Sequence, residues 1–218
     1  MMWNSEKKSV METAQQMAQT GLVIGSMGNV STRLSDPDGR ELIAITPSGC
    51  CYETLDLADI IIVDFEGKTV EGKLAPSIET MLHIGIYKAR SKVKAIVHAH
   101  SVYGSILSVA HLEIPAILDD QVICLGGEIR VAEYALPGSG ELVQNVVNAL
   151  GLRNSVILAN HGTLSVGRDL KEAFTNCEMC EKVAKVFTNA LSIGKVTPLS
   201  AEALEKERAI FNLHHCGE

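Results

Sequence analysis

The stretch Ala95-Ile96-Val97-His98-Ala99-His100 governs how the rest of the chain is interpreted. Its first residues are small or β-branched and apolar, which is typical of a strand buried on both faces. Side chains two residues apart on a strand point to the same face, so the imidazoles of His98 and His100 can reach one metal ion. A bare HxH motif is equally compatible with histidines that pack or hydrogen-bond at a strand end.

Two further candidate ligands lie outside this strand. His161 follows the apolar run 155–159, so it comes at the end of another predicted strand, and Glu79 lies at the start of a predicted helix. Three imidazole nitrogens and one carboxylate form a ligand set that zinc or a similar divalent ion binds. A displaceable carboxylate would leave an open catalytic position on the ion. The sequence therefore predicts a metal site of Glu79, His98, His100 and His161.

Strands and helices alternate along the whole chain. The predicted helices cover residues 5–20, 78–89, 101–109, 140–150, 169–193 and a last segment after Ser200, and the predicted strands cover 28–34, 41–46, 60–65, 68–71, 95–100, 114–118, 129–134 and 155–159. Early hairpins exclude a purely parallel sheet, and no repeat or linker interrupts the sequence. We predict an α/β fold of one three-layer domain, residues 1–218, with a mixed central β-sheet flanked by helices on both faces.

Composition limits the classes of partner. Nineteen Lys and Arg against 26 Asp and Glu give a net charge of −7, and without a run of basic residues this argues against a nucleic-acid surface. Residues 1–12 do not resemble a signal peptide, and no segment has the length and apolarity of a membrane span. The six cysteines are expected to be reduced in the cytoplasm. Cys177-x-x-Cys180 lies within a helical pattern, so we interpret this spacing as structural.

Three turns have the residues of an anion site. Gly28-Asn29, Ser48-Gly49 and Ser77 lie at turns or helix starts, where backbone N–H groups and small hydroxyls can converge on an anion. Taken singly, each is also compatible with ordinary turn chemistry. Such a site could hold phosphate without arginine.

In order and spacing, these motifs resemble those of the class II aldolase/adducin family, most closely its L-fuculose-1-phosphate aldolase branch. The likeness covers nearly the whole chain. It is carried by Gly28-Asn29-Val30-Ser31, Thr46-Pro47-Ser48-Gly49, Pro76-Ser77-Ile78-Glu79, His98-Ala99-His100 and Asn160-His161-Gly162. The combination is far more specific than any one motif.

The resemblance implies a metal-dependent aldolase that cleaves a ketose 1-phosphate to dihydroxyacetone phosphate and a small aldehyde. L-fuculose 1-phosphate is the first candidate substrate, followed by 5-deoxyribulose or methylthioribulose 1-phosphate. The family's metal ligands fall on His98, His100 and His161, with Glu79 as both ligand and proton-transfer group. Its phosphate loops fall on Gly28, Asn29, Ser48, Gly49, Ser77 and Ile78. The implied cofactor is zinc (Zn²⁺), or another divalent cation such as Mn²⁺ or Co²⁺, and the implied assembly is a homotetramer with active sites at subunit interfaces.

Some residues separate this chain from its relatives. The family's 4-epimerases have an aspartate where Glu79 stands, which favours an aldolase. Ile78 replaces a second serine of the fuculose-phosphate enzymes, and segments 118–121 and 209–212 lack the tyrosines that those enzymes use as proton donor and aldehyde-binding wall. Asp120 or Gln121 could supply polar contacts to the aldehyde instead, or belong to a solvated loop.

Alternatives stay open at this point. A related decarboxylase or 4-epimerase would use the same metal ligands. A non-catalytic scaffold like adducin has no need of these ligands, so their presence argues against that class. His83 lies one turn after Glu79, and it could either support the metal site or be a hydrogen-bonded interior residue.

Overall fold

The computed structural model describes residues 3–215, which form an eight-stranded sheet with helices on both faces. The prediction on export also refers to Met1 and Met2, and the prediction on cysteines also refers to Cys216. These three residues lie outside the described range. The strands are β1 (Gly28–Leu34), β2 (Leu42–Ile45), β3 (Ile61–Asp64), β4 (Thr69–Glu71), β5 (Ala95–Ala99), β6 (Val131–Ala132), β7 (Ser155–Leu158) and β8 (Gly162–Gly167). Their order in the sheet is β4-β3-β2-β1-β5-β8-β7-β6. Only β6 and β7 pair in parallel, so the predicted mixed sheet is confirmed.

Besides two short 3-10 helices at Tyr52–Thr54 and Leu57–Asp59, seven α-helices complete the described part of the chain. They are α1 (Asn4–Gln19), α2 (Thr80–Ala89), α3 (Val102–Ala110), α4 (Asp119–Leu125), α5 (Gly140–Leu150), α6 (Leu170–Ile193) and α7 (Ala201–His215). Helices α1 and α6 pack on one face of the sheet, and α2 and α5 pack on the other. None of the helices in residues 3–215 combines the length and apolarity needed to cross a bilayer.

The central strand β5 shows how the sequence produces this arrangement. Ala95, Val97 and Ala99 pack against the α1 and α6 face, whereas Ile96 packs against the α2 and α5 face. All five residues of β5 are buried, as the unbroken apolar pattern predicts. Since side chains alternate along a strand, His98 shares the α2 face with Ile96.

The structure differs from the prediction around residues 114–134. The predicted strand 114–118 is reduced to a single bridge between Ile114 and Ile129, and the strand predicted at 129–134 is reduced to β6. Helix α4, which was not predicted, follows the bridge. Its seven residues are too few for a helical pattern to stand out, and Gln121 occupies one of its buried positions.

Strand β8 was also not predicted from the sequence. Its residues Gly162-Thr163-Leu164-Ser165-Val166-Gly167 are mostly small or polar, yet every one is buried. Buried hydroxyls need partners, and Ser165 finds one across the sheet, where its Oγ lies 2.7 Å from Oγ of Ser155. Polar residues that resemble a loop in the sequence can therefore form a buried strand where helices cover both faces of the sheet.

Candidate active site

Three histidines converge at the end of β5. His98 belongs to β5, His100 follows it, and His161 lies in the tight turn between β7 and β8. The ring centroids lie 4.8–4.9 Å apart with interplanar angles of 74–80°. One nitrogen from each ring lies within 4.8 Å of the other two. Zinc ligands at about 2.0–2.1 Å from the ion lie about 3.4 Å from one another, so a small shift of these rings suffices to hold one ion.

The hydrogen bonds of His98 favour metal binding. Its Nδ1 lies 2.8 Å from the backbone oxygen of Thr163, which can only accept, so Nδ1 carries a proton. In the neutral ring Nε2 then holds a lone pair, and this atom lies 3.0 Å from Nε2 of His100. Two such lone pairs repel each other unless a proton or a cation lies between them. The donor set therefore fits a divalent ion, and a carbonyl that orients the outer nitrogen is typical of metal-binding histidines.

Glu79 completes the cluster from the start of α2. Its Oε2 lies 3.2 Å from Nε2 of His98, and its Oε1 lies 3.5 Å from Nε2 of His161. The side-chain amide of Asn29 donates a hydrogen bond of 2.8 Å to Oε2. Oε1 is buried without a hydrogen-bond partner in residues 3–215. A buried carboxylate oxygen beside three imidazoles is an arrangement that a cation would satisfy.

The protonation states fit this interpretation. Burial raises the pKa of Glu79, but the nearby His98 and His161 and the Asn29 amide outweigh burial and hold that pKa well below its usual range. Burial and the neighbouring His98 lower the pKa of His161 to about 4, and the same causes, together with His161, lower that of His100 to about 4. These two rings are neutral at pH 7, which is the form that binds metal. Burial lowers the pKa of His98, but the effect of the neighbouring Glu79 carboxylate is larger, so the net pKa of His98 is raised. A metal therefore competes with a proton at this ring.

The turns predicted to hold phosphate lie together beside the cluster. Pro47 and Pro76 form a bridge that joins segments 46–49 and 75–77. The N–H of Ser48 donates to the oxygen of Ala75, so one expected phosphate donor is already used. The N–H of Ser77 likewise donates to the oxygen of Thr46.

Two other amides remain for an anion at this bridge. Within residues 3–215, the N–H groups of Gly49 and Ile78 donate to no acceptor of the chain. Gly49 adopts the left-handed region with φ 73°, and the side chain of Ser48 is exposed beside it. Phosphate binding at these turns stays a prediction, with the amides of Gly49 and Ile78 as its available donors.

Gly28 and Asn29 lie at the site for structural reasons as well. A Cβ on Gly28 would lie 2.5 Å from the backbone oxygen of His98, and the φ of Gly28 is 127°, so a side chain is excluded where β1 passes β5. Asn29 is buried and directs its amide to Glu79. Both residues thus shape the metal cluster directly, which their assignment to a phosphate loop did not predict.

A cavity of about 440 Å³ opens over these residues. All the predicted substrate-binding residues line it, together with Glu79, His100 and His161, whereas the fully buried His98 does not. Ser26, Met27 and Pro137 also line it and were not predicted. For these three residues the sequence offered one signal, the turn at Pro137-Gly138 just before a predicted helix.

The suggested aldehyde contacts of Asp120 and Gln121 do not occur within the subunit. Gln121 is fully buried, and its amide donates to the oxygens of Pro115 and Gly127 while its oxygen accepts from the N–H of Ile117. All its polar atoms are used, so the suggestion was wrong for this residue. Asp120 forms an ion pair with Lys182, and neither acidic side chain of α4 lines the cavity.

Comparison with known proteins shows likeness over nearly the whole chain. A family model described as "Class II Aldolase and Adducin N-terminal domain" matches residues 8–188. The chain is 30% identical to a 5-deoxy-D-ribulose 1-phosphate aldolase of Bacillus thuringiensis, over 94% of each chain. It is 33% identical to the L-fuculose phosphate aldolase of Escherichia coli K12, over 91% of this chain and 90% of that one.

The fold has a near match among solved structures. An L-fuculose 1-phosphate aldolase superposes with a TM-score of 0.89 at 34% identity, over 95% of this chain and 96% of that one. The predicted architecture of a mixed sheet with helices on both faces is thus the architecture of these enzymes.

Proposed function

Because this chain belongs to the class II aldolase and adducin family, we propose that it is a divalent-metal-dependent aldolase, a carbon–carbon lyase that cleaves a ketose 1-phosphate to dihydroxyacetone phosphate and a small aldehyde. The observation that carries the proposal is the pairing of the three imidazoles with the buried carboxylate of Glu79 at the base of an open cavity. A scaffold protein has no use for this ligand set.

His98, His100 and His161 hold the ion, with Glu79 as a fourth, displaceable ligand. Zinc fits these nitrogen and oxygen donors, as do Mn²⁺ and Co²⁺. When bound, such an ion supplies the Lewis acidity that stabilises negative charge on the substrate as the C3–C4 bond breaks. All four ligands come from one chain, so metal binding does not require a neighbouring subunit.

Glu79 is the catalytic residue that moves a proton. As the C3–C4 bond breaks, the C4 hydroxyl gives up its proton to water and becomes the aldehyde carbonyl. The electron pair of the broken bond goes to C3 of the dihydroxyacetone phosphate half, and C3 then needs a proton. Glu79 delivers this proton in cleavage and removes it in condensation. Asn29 donates to one oxygen of Glu79, which leaves the other oxygen to face the substrate.

The phosphate of the substrate binds at the bridged turns. The amides of Gly49 and Ile78 and the hydroxyl of Ser48 are the donors, with Gly28, Asn29 and Ser77 shaping the floor. Backbone dipoles and the ion supply positive potential locally, so a net charge of −7 does not oppose binding of an anion.

Apolar surface in the cavity favours an aldehyde with an apolar end. Met27, Ile78 and Pro137 line the cavity with apolar surface. L-fuculose 1-phosphate remains the first candidate, with 5-deoxyribulose or methylthioribulose 1-phosphate next, because the aldehyde released from each carries a methyl group. Relatives named for these three kinds of substrate are 33%, 30% and 32% identical to this chain.

We assign a homotetramer to the active enzyme, with neighbouring subunits completing each site. Helix α3 begins two residues after His100 and carries Val102, Ile106 and Val109, which are 63%, 43% and 67% exposed. Spacings of four and three residues place them on one face of the helix. An exposed apolar face beside the cavity supports an interface at this position.

A panel of ketose 1-phosphates tests the proposal. Zinc-loaded protein is expected to release dihydroxyacetone phosphate from at least one of the three candidates, and mass analysis identifies the aldehyde. Inversion at C4 without cleavage would indicate an epimerase, and release of carbon dioxide from an acidic analogue would indicate a decarboxylase. Protein with no stoichiometric divalent ion and no turnover would revive the scaffold interpretation.

A further inference from the structure

A ladder of polar contacts joins β1 to α2 beneath the metal cluster. Alternate residues of β1 contact residues four apart around α2; the contacts are Asn29 to Glu79, Ser31 to His83 and Tyr87, and Arg33 to the backbone of Tyr87. Two residues of a strand span about 6.6 Å, and four residues of a helix span about 6.0 Å. The two repeats therefore match over three successive rungs, with Glu79 at the top.

The middle rung is a buried hydrogen-bonded chain. Oγ of Ser31 lies 2.6 Å from Nδ1 of His83 and 2.8 Å from the hydroxyl of Tyr87. All three side chains are fully buried. The directions follow from counting donors: if Tyr87 donates to Ser31, and Ser31 donates to His83, only Nε2 of His83 is unpartnered within residues 3–215. The reverse direction would leave the Tyr87 hydroxyl proton unpartnered as well.

The lower rung fixes the other end of α2. The guanidinium of Arg33 donates to the backbone oxygen of Tyr87 and, at 3.1 Å, to that of Val93. It also lies 4.9 Å from the centre of the Tyr87 ring. Helix α2 is thus tied to β1 at the residue that precedes its first turn, at its middle and near its end.

Apolar packing alone would not set the register of this helix. Leu82, Ile84 and Ile86 of α2 are buried in the core, but apolar contacts are non-directional and tolerate small slides. Hydrogen bonds between buried groups have fixed lengths and directions, so a slide of α2 along β1 would break the Ser31 contacts. The same slide would carry Glu79 away from His98 and His161.

We propose that Ser31, His83 and Tyr87 are positioning residues that fix the register of α2 on β1 and thereby hold the Glu79 carboxylate at the metal cluster. The catalytic consequence rests on the role given to Glu79 in the proposed function. The geometric consequence, a displaced fourth ligand, does not depend on which substrate the enzyme cleaves.

Replacing Ser31 with alanine tests the ladder, and Ser155 provides a matched control. Both serines are buried in strands, and the hydroxyl of each bonds to another buried hydroxyl, yet Ser155 lies at the end of β7 remote from His161. Ser31→Ala and Ser155→Ala therefore lose similar burial and similar hydrogen bonds. Tyr87→Phe serves as a milder second variant, since it keeps the ring and the bond from Ser31 to His83.

Three readouts separate positioning from simple destabilisation. After metal removal and titration with Co²⁺, Ser31→Ala is expected to show an altered visible absorption spectrum and about 10-fold weaker binding, because a carboxylate ligand is displaced. Its kcat is expected to fall about 10- to 100-fold with KM changed less than about threefold. Tyr87→Phe should show the same changes to a smaller degree, and Ser155→Ala should match the wild type in all three.

Equal losses of thermal stability in Ser31→Ala and Ser155→Ala, with unchanged Co²⁺ spectra and kcat, would overturn the proposal. Wild-type protein that cleaves no ketose phosphate would instead refute the proposed function. In that case the Co²⁺ spectra and affinities of the same three variants still decide whether the ladder positions Glu79.

Discussion

The carboxylate of Glu79 meets two requirements at one position. In the proposed enzyme it binds a cation through an oxygen that has no other partner, and it leaves that cation to move a proton. Asn29 holds one oxygen, while the other faces His161 at 3.5 Å without a hydrogen bond. Because Asn29 holds Oε2, the carboxylate can rotate so that only Oε1 changes its position.

Replacing Glu79 with glutamine should separate these roles. The amide keeps the size of the side chain but cannot accept a proton, so turnover should fall about 10²- to 10⁴-fold. The three histidines should retain the metal. Steady-state kinetics and metal analysis of the purified variant measure both effects. Glu113→Gln, at an exposed residue outside the cavity, is the control, and near-normal turnover in Glu79→Gln would refute the proton-transfer role.

Gly28 and Gly39 form a matched pair for testing the close approach of β1 to β5. Both have positive φ, but a Cβ at Gly28 meets the His98 oxygen at 2.5 Å, whereas a Cβ at Gly39 meets nothing within 4 Å. Gly39→Ala should cost about 1–2 kcal/mol of stability from backbone strain alone. Gly28→Ala should cost roughly 2–5 kcal/mol and also weaken metal binding. Urea unfolding measures the difference, and equal losses would contradict the contact.

At the scale of elements, long and strongly patterned segments could be predicted. The unbroken apolar run of β5 and the 24-residue helical pattern of α6 are both confirmed. The metal ligands could be proposed because HxH on a strand fixes a common face. The short helix α4 and the polar strand β8 were not predicted, because their secondary structure depends on the segments that pack on them rather than on their own residue pattern.

Contacts between distant segments could not be predicted in the same way. Asn29 and Glu79 are 50 residues apart, and Ser31 and His83 are 52 apart. Their pairing depends on the register of α2 on β1, which no single segment encodes. The sequence alone allowed two roles for His83, a support of the metal site or a hydrogen-bonded interior residue. Its buried bond to Ser31 shows that His83 is an interior residue. Support of the metal site is the role that the proposed ladder gives it.

Helix α6 yields a prediction about its cysteines. Cys177 and Cys180 are buried in the core, which agrees with their structural interpretation. Burial raises the pKa of the Cys180 thiol to about 12 and that of the Cys177 thiol well above its usual range. In a Cys216→Ser background, a disulfide reagent at pH 7.5 should modify exposed Cys51 rapidly and these two only after unfolding. Rapid modification of the CxxC pair in folded protein would contradict this packing.

At the scale of the whole molecule, the acidic net charge and the apolar face of α3 point to different partners. The charge argues against nucleic acid, and the exposed apolar face supports association with further copies of the chain. One subunit supplies all the proposed metal ligands, and α3 begins two residues after His100, which lines the cavity.

A charge on α3 should therefore separate metal binding from catalysis. Val109→Asp is expected to dissociate the proposed tetramer, because burying an unpaired carboxylate at an interface is costly. The dissociated subunit should keep its metal but lose most of its turnover. Sedimentation velocity, metal analysis and kinetics check this, with Leu152→Asp, at an exposed leucine outside α3, as the control. Full turnover by a monomeric Val109→Asp variant would refute a shared site.

The most direct test of the central claim is zinc titration of metal-free protein with the release of dihydroxyacetone phosphate as readout. The account predicts no release without metal, a linear rise on adding zinc and a plateau at one ion per subunit. It also predicts that His100→Ala reaches no such plateau at the same zinc concentrations. Undiminished release by metal-free protein, or a wild-type plateau that His100→Ala reproduces, would contradict a metal-dependent aldolase built on these histidines.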